Sequence, residues 1–193
     1  MRTRGSRTLY RYWRGIREGQ RIPLRSAIEP RGLKEVLPWT FIMDRVDREM
    51  APFRLAGTGI CEQYGRELRG SNFLSLWLGD CRRTVRSLID NVVMMPAPAF
   101  IEFEAHASNE RRMFGEIVLL PLAASDGEVL QVLGGWFPTV THDPLLERPL
   151  IRHRVKKISM LKDEEAQNLP APVVPTVTSP SGLKLVISNG KLT

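Results

Sequence analysis

An α+β fold, built on a five-stranded antiparallel sheet with helices on one face, is what the pattern of this chain predicts. Two observations carry the expectation. β-forming residues gather in a pair of short runs between residues 39 and 56 and in three longer runs between residues 99 and 140. Between these groups the period-two alternation disappears, and residues 80–95 bring Val85, Leu88, Ile89 and Val92 to i, i+3, i+4 and i+7. That spacing is the apolar stripe of a helix that must pack on something. Two strands, a helical middle, one long helix and three strands are accounted for by one sheet with its helices on one face. The fold class includes an N-terminal helical extension and a disordered C-terminal tail.

Taken in order, residues 8–18 read as a short amphipathic helix. Leu9, Trp13 and Ile16 fall at i, i+4 and i+7, Arg7, Arg11, Arg14 and Arg17 occupy much of the remainder, and Gly19 is the expected stop. Pro30 suits the first position of a second short helix, which Pro38 ends near Leu37. Residues 39–46 and 53–56 form a hairpin across the polar Asp47-Arg48-Glu49. Asp80 is the expected N-cap of the long helix, and Pro96 bounds its end. Strands follow at 99–107, 112–122 and 128–140, the last after the turn signal Ser125-Asp126-Gly127.

Beyond residue 149, Pro170, Pro172, Pro175 and Pro180 interleave with Val, Thr and Ser, which reads as a mostly disordered tail with a helical turn or two near 155–167. The expected organisation is a basic helical cap at 1–36, a core at 37–140 and a basic, proline-containing tail at 141–193.

Charge supports that division. The net +7 resolves into +8 for residues 1–34, −6 for 35–147 and +5 for 148–193. An acidic body between basic arms weakens the case for a nucleic-acid-binding core. No apolar run reaches the roughly 18 residues of a membrane span, and the basic start lacks a continuous apolar stretch after it. A soluble, cytoplasmic protein is the expectation. Cys61 and Cys81 are the two cysteines, with no C-x-x-C pair, and read as reduced packing residues.

Between the hairpin and the long helix lies Gly65-Arg66-Glu67-Leu68-Arg69-Gly70-Ser71-Asn72-Phe73-Leu74-Ser75-Leu76-Trp77. In that setting it resembles the turn that closes the small-molecule pocket of a PAS domain. The motifs Leu9-Tyr-Arg-Tyr-Trp13, Ile28-Glu-Pro-Arg31, Leu37-Pro38, Phe53-Arg-Leu-Ala-Gly-Thr58, Leu120-Pro-Leu122 and Leu133-Gly134 accompany it in order over residues 8–140. The chain is similar to the stand-alone bacterial PAS family of alphaproteobacteria, a PAS-type domain of unknown function. The resemblance implies a pocket between the sheet and the long helix, for which the candidate lining is Phe41, Leu55, Tyr64, Phe73, Trp77, Val85, Leu88, Ile89 and Phe103. It names no ligand, because one fold hosts many functions.

Two cofactor chemistries are disfavoured. Flavin photoreceptors of the superfamily place a cysteine after the Gly-x-Asn of this turn, and here Phe73 follows Asn72. Haem-binding PAS domains commonly supply a histidine from the long helix, and residues 80–95 contain none. The cofactor is therefore unknown. Glu102, Glu104 and His106 share one face of a strand, close enough for a metal or an acid/base pair, but a solvated or partner-covered face is the favoured reading. His142 and His153 fall in loop or tail. Gly57-Thr58-Gly59 fails as a dinucleotide fingerprint because Glu62 stands where the third glycine belongs. No metal site and no catalytic constellation assembles.

The functional expectation is a non-enzymatic cytoplasmic signalling protein that senses a small ligand or state and acts through a protein partner in trans, since no output domain is attached. A different class is a ligand-free adaptor, which filled packing by Phe41, Phe73, Trp77 and Phe103 favours. A third is a peripheral binder of anionic membrane or nucleic acid through residues 1–34. The N-terminal helix, through Leu9, Trp13 and Ile16, is expected to cap the sheet and form a homodimer. The segment 183–188 is a candidate strand for a partner's sheet edge.

Overall fold

The computed structural model describes residues 1–17, 19–107, 112–139 and 149–161. Its strands are β1 (Thr40–Asp44), β2 (Phe53–Ala56), β3 (Ala99–Ala107), β4 (Arg112–Leu122), β5 (Gln131–Pro138) and β6 (Leu150–Met160). All six join one antiparallel sheet in the order β2-β1-β5-β4-β3-β6. Helices α1 (Arg4–Gly15), α2 (Thr58–Tyr64) and α3 (Gly79–Met94) pack on it. The five expected strands are all present; the sixth is not among them.

That sixth strand corrects the reading of the tail. Where a helical turn was expected, residues 150–160 pair along the whole of β3. The reason is two register shifts, at Glu102/Phe103 and at His106/Ala107. They space the inward residues Leu150, His153, Val155 and Ile158 irregularly, so period two never shows in the sequence. The rest of the expected tail, His142 and the segment 183–188 lie outside the described residues.

The sheet is buried on both faces. On the inner face α2, α3 and the 65–77 segment cover Phe41, Met43, Ile101, Phe103, Ile117, Leu119 and Trp136. On the outer face Leu9, Tyr10 and Trp13 of α1 cover Phe100, Val118, Leu120, Leu133 and Phe137. The close approach of α1 needs glycine. A Cβ at Gly135 would meet Leu9 and the Phe137 ring, and one at Gly5 would meet Phe137 again.

Helix boundaries follow their caps. Thr3 caps α1, its hydroxyl oxygen accepting from Ser6 N at 3.0 Å. Helix α1 therefore starts earlier than expected and ends before Gly19. For α3 the cap position is Leu78, with Asp80 inside the first turn, where its charge still suits the helix N-terminus. Asp80 is not the N-cap. Pro30 does open a short 3-10 turn, Pro30–Leu33, whereas Pro38 lies within the next one, Leu37–Trp39. Among the described residues no helix is long and apolar enough to cross a membrane.

Candidate functional site

The 65–77 segment is built as a brace on the free side of β2. Gly65 and Gly70 take φ values of +61° and +77°, which L side chains rarely adopt. Between and after them the chain zips onto the hairpin: Gly70 N donates to Phe53 O at 2.8 Å, Phe53 N to Ser71 O at 2.9 Å and Phe73 N to Ala51 O at 2.9 Å. Asn72 completes the brace. Its Oδ1 accepts from Leu74 N and Ala51 N, each at 3.1 Å, and its Nδ2 donates to Glu49 O at 2.6 Å. Phe73, the next residue, points its ring into the interior, in contact with Phe41, Phe53 and Trp77.

Eight of the nine predicted pocket residues meet there. Phe41, Tyr64, Phe73, Trp77, Val85, Leu88, Ile89 and Phe103 all belong to the buried inner core. Leu55 does not: it is 48% exposed and stands on the opposite face. A register shift in the β1–β2 pairing sets Phe53 beside Met43 and Leu55 beside Ile42, so the two residues part company across the sheet.

The centre of this interior is a residue the sequence reading placed in the tail. His153 of β6 is fully buried among Tyr64, Trp77 and Phe103, with ring centroids 5.7, 5.2 and 5.0 Å away. Its Nδ1 lies 3.2 Å from Leu76 O, which only accepts, so Nδ1 carries the proton. Nε2 then accepts from the Tyr64 hydroxyl at 2.9 Å. Burial, with the neighbouring His106 adding to it and the Leu76 hydrogen bond opposing it, pulls the His153 pKa down to about 4. Burial likewise drives the Tyr64 hydroxyl well above its ordinary range, opposed by the approach of the Trp136 indole N–H to the Tyr64 oxygen and by the Arg66 charge. The pair is neutral at neutral pH. Trp136, also missed as a site residue, packs on Tyr64 and Phe103. Among the described residues the buried indole Nε1 of Trp77 has no hydrogen-bond partner, and that of Trp136 approaches the Tyr64 oxygen without forming a hydrogen bond of good geometry.

Main-chain contacts anchor β6 beside the histidine. Leu78 N donates to His153 O at 3.2 Å, and Val155 N to Cys81 Sγ at 3.4 Å. Cys61 is held as a thiol: burial raises its pKa, and the Glu67 carboxylate 3.6 Å away adds to that.

The acidic stripe on β3 is occupied by basic groups. Glu104 faces Lys156, Arg112 and His106 at 3.3–3.4 Å. Burial alone would raise its pKa, and the Lys156 hydrogen bond and charge, with His106 and Arg112 adding to them, reverse the sign and hold it low. Glu102 pairs with Arg2. Among the described residues no cluster of three metal-ligating side chains forms.

The predicted dimer face is also corrected. Leu9 and Trp13 are 0% and 1% exposed, covered by their own sheet, and Trp13 Nε1 donates to Pro121 O at 2.8 Å. Ile16 is half-buried at the end of α1. While α1 is docked, Leu9 and Trp13 are closed to a second subunit or a bilayer. Two polar anchors hold it. Glu116 of β4 accepts from Arg2 N and Thr3 N at 3.1 and 3.2 Å, and Glu29 N donates to the Tyr12 hydroxyl at 2.8 Å.

A family model described as PAS domain matches residues 1–136. The chain belongs to that family. Its general role is therefore that of a PAS-type sensory signalling domain, in a family that is typically non-catalytic and commonly mediates protein–protein contacts and dimerisation. The match spans α1 and the first four strands and ends within β5, before β6. No curated protein matches the chain. Among solved structures, a light-oxygen-voltage domain studied with a flavin analogue is 13% identical, with a TM-score of 0.46 over 57% of this chain and 84% of that one. The Rhodobacter sphaeroides LOV protein is 15% identical, with a TM-score of 0.45 over 61% and 72%. The dark structure of the blue-light photoreceptor Aureochrome1 LOV is 14% identical, with a TM-score of 0.45 over 56% and 80%.

Proposed function

We propose that this PAS protein is a non-enzymatic cytoplasmic signalling component that registers a small ligand or a change of state between the sheet and α3. It passes that state to a protein partner in trans. The observation that supports the reading most is the Tyr64–His153 hydrogen bond flanked by two indole N–H groups that make no well-formed hydrogen bond among the described residues. Buried donors are nearly always paired, and an acceptor atom on a small polar guest satisfies one. A guest that also takes the Tyr64 hydroxyl from His153 acts directly on β6, which sits at the sheet edge. Such a guest shifts the docking of β6 only as far as it binds the two arrangements unequally.

Native mass spectrometry of the protein purified from its own host tests this. The expected result is a non-covalent adduct that Trp136→Phe or Tyr64→Phe weakens. A strictly empty protein under every growth condition removes the sensing part.

A ligand-free adaptor is the second reading, favoured by one specific observation: Phe41, Phe73, Trp77 and Phe103 already fill much of the interior with ring contacts. It expects partner pull-down to be the same for wild type and Trp136→Phe, with no adduct in either.

A further inference from the structure

The end of the sheet at β1 and β2 carries a hollow on its outer face, which shares Phe41 with the aromatic interior. It encloses about 340 Å³, at the small end of the ~300–1,000 Å³ range of ligand sites. Ile28, Leu33 and Leu37 wall it from the segment after α1, and Ile42 and Leu55 from the hairpin. Arg25 stands at its rim.

Three observations bear on what it holds. The β1–β2 register shift moves Leu55 out of the inner core and into this wall, where Leu55 and Leu37 remain 48% and 43% exposed. An apolar wall that α1 does not reach is a surface awaiting cover. Arg25 is half-buried and pairs with no carboxylate among the described residues. Its backbone is fixed, with Arg25 N donating to Ala123 O at 2.8 Å and Ile28 N donating back to Arg25 O at 3.3 Å. Arg25 also borders a second, larger hollow of about 620 Å³ that Asp44 and Glu128 line. Asp44 is already engaged by Arg54 and Gln131, and Glu128 is exposed.

We infer that this hollow binds an amphipathic monoanion, an aliphatic carboxylate whose chain lies on Leu33, Ile42 and Leu55 and whose head group takes the Arg25 guanidinium. A planar guanidinium receives a carboxylate through two parallel N–H donors, which a neutral head group does not match. The inference stands apart from the interior reading and survives its failure.

The test is calorimetric titration of the full chain with decanoate, kept below its micelle-forming concentration, and with decanol as the neutral probe. Leucine methyl spectra report the location. One decanoate binds per chain and shifts the Leu37 and Leu55 methyls. Arg25→Gln weakens decanoate about tenfold, as loss of one charge-assisted pair does, and leaves decanol unchanged. Leu55→Ser weakens both. Three results overturn the inference: decanoate affinity indifferent to Arg25→Gln, shifts confined to Leu88 and other interior methyls, or a dimer in sedimentation that Leu55→Ser dissociates while decanoate fails to bind. The last assigns the hollow to a second copy of the chain.

Discussion

On the outer face of the sheet, α1 lays Leu9, Tyr10 and Trp13 over apolar neighbours, and the polar atoms it buries find partners. Trp13 Nε1 meets Pro121 O, and Glu116 takes two backbone N–H groups at the helix start. On the inner face the rings pack as closely around Tyr64, Trp136 and His153, yet two indole N–H groups stay unpaired among the described residues and an imidazole is kept neutral by burial. The part of the outer face under α1 is sealed with its hydrogen bonds made, although further along it His106 Nε2 is buried without one among the described residues. The other is left with donors in reserve, and an interior that binds or responds needs groups not already committed. That contrast puts the search for the signal inside the molecule, and at β6.

The largest effects come from removing a ring outright. Trp13→Ala and Trp136→Ala each are expected to cost about 3–5 kcal/mol in urea unfolding. Their local consequences separate them: Trp13→Ala frees α1 and accelerates hydrogen exchange across residues 4–15, whereas Trp136→Ala leaves that exchange slow. Equal exchange in the two variants breaks the division between faces.

Acid comes next. The folded state holds His153 near 4 while the unfolded chain titrates at its ordinary 6.5, so the unfolded state takes up the extra proton. Stability is complete above pH 6.5 and falls as pH drops. About 3 kcal/mol is lost by pH 4, where the loss levels off. His153→Leu flattens this part of the profile, and a slope unchanged in that variant shows that the imidazole is not its source.

Gly135→Ala tests the close approach of α1. Its Cβ runs into Leu9 and Phe137, and over-packing of this kind costs about 1–3 kcal/mol. The same substitution leaves inner-face ring signals in the NMR spectrum unmoved.

The finest contrast is Trp→Phe on each face. Trp13→Phe strands the Pro121 carbonyl and is expected to cost about 1 kcal/mol more than Trp136→Phe, which removes a donor that has no partner among the described residues. A reversed order means that Trp136 Nε1 is bonded in solution, by water or by a guest.

Much of this was legible in the residues. Runs of β-forming residues marked the first five strands and the 3.6 repeat marked α3, because buried elements collect branched and apolar residues at the spacing their backbone sets. Eight of the nine residues named from the family resemblance lie in the interior, each pointing inward from its element. The failures share one cause. Leu55 was assigned inward because the bulge that turns it out leaves no local signature. β6 was taken for tail because two register shifts scramble its alternation and its outer face is cationic, so His153 at the heart of the interior was overlooked.

Local information settles the first five strands, the amphipathic N-terminal helix and α3, and the two glycines whose left-handed φ lets the 65–77 segment turn. Those outcomes rest on backbone sterics and apolar spacing, which act over a few residues. Long-range packing alone settles which face each strand residue serves, that Leu9 and Trp13 are covered within their own chain, and that β6 closes the sheet with His153 against Tyr64. Such outcomes depend on strand pairing and on contacts between residues as far apart as Tyr64 and His153, and register is set by the whole sheet rather than by any strand within it.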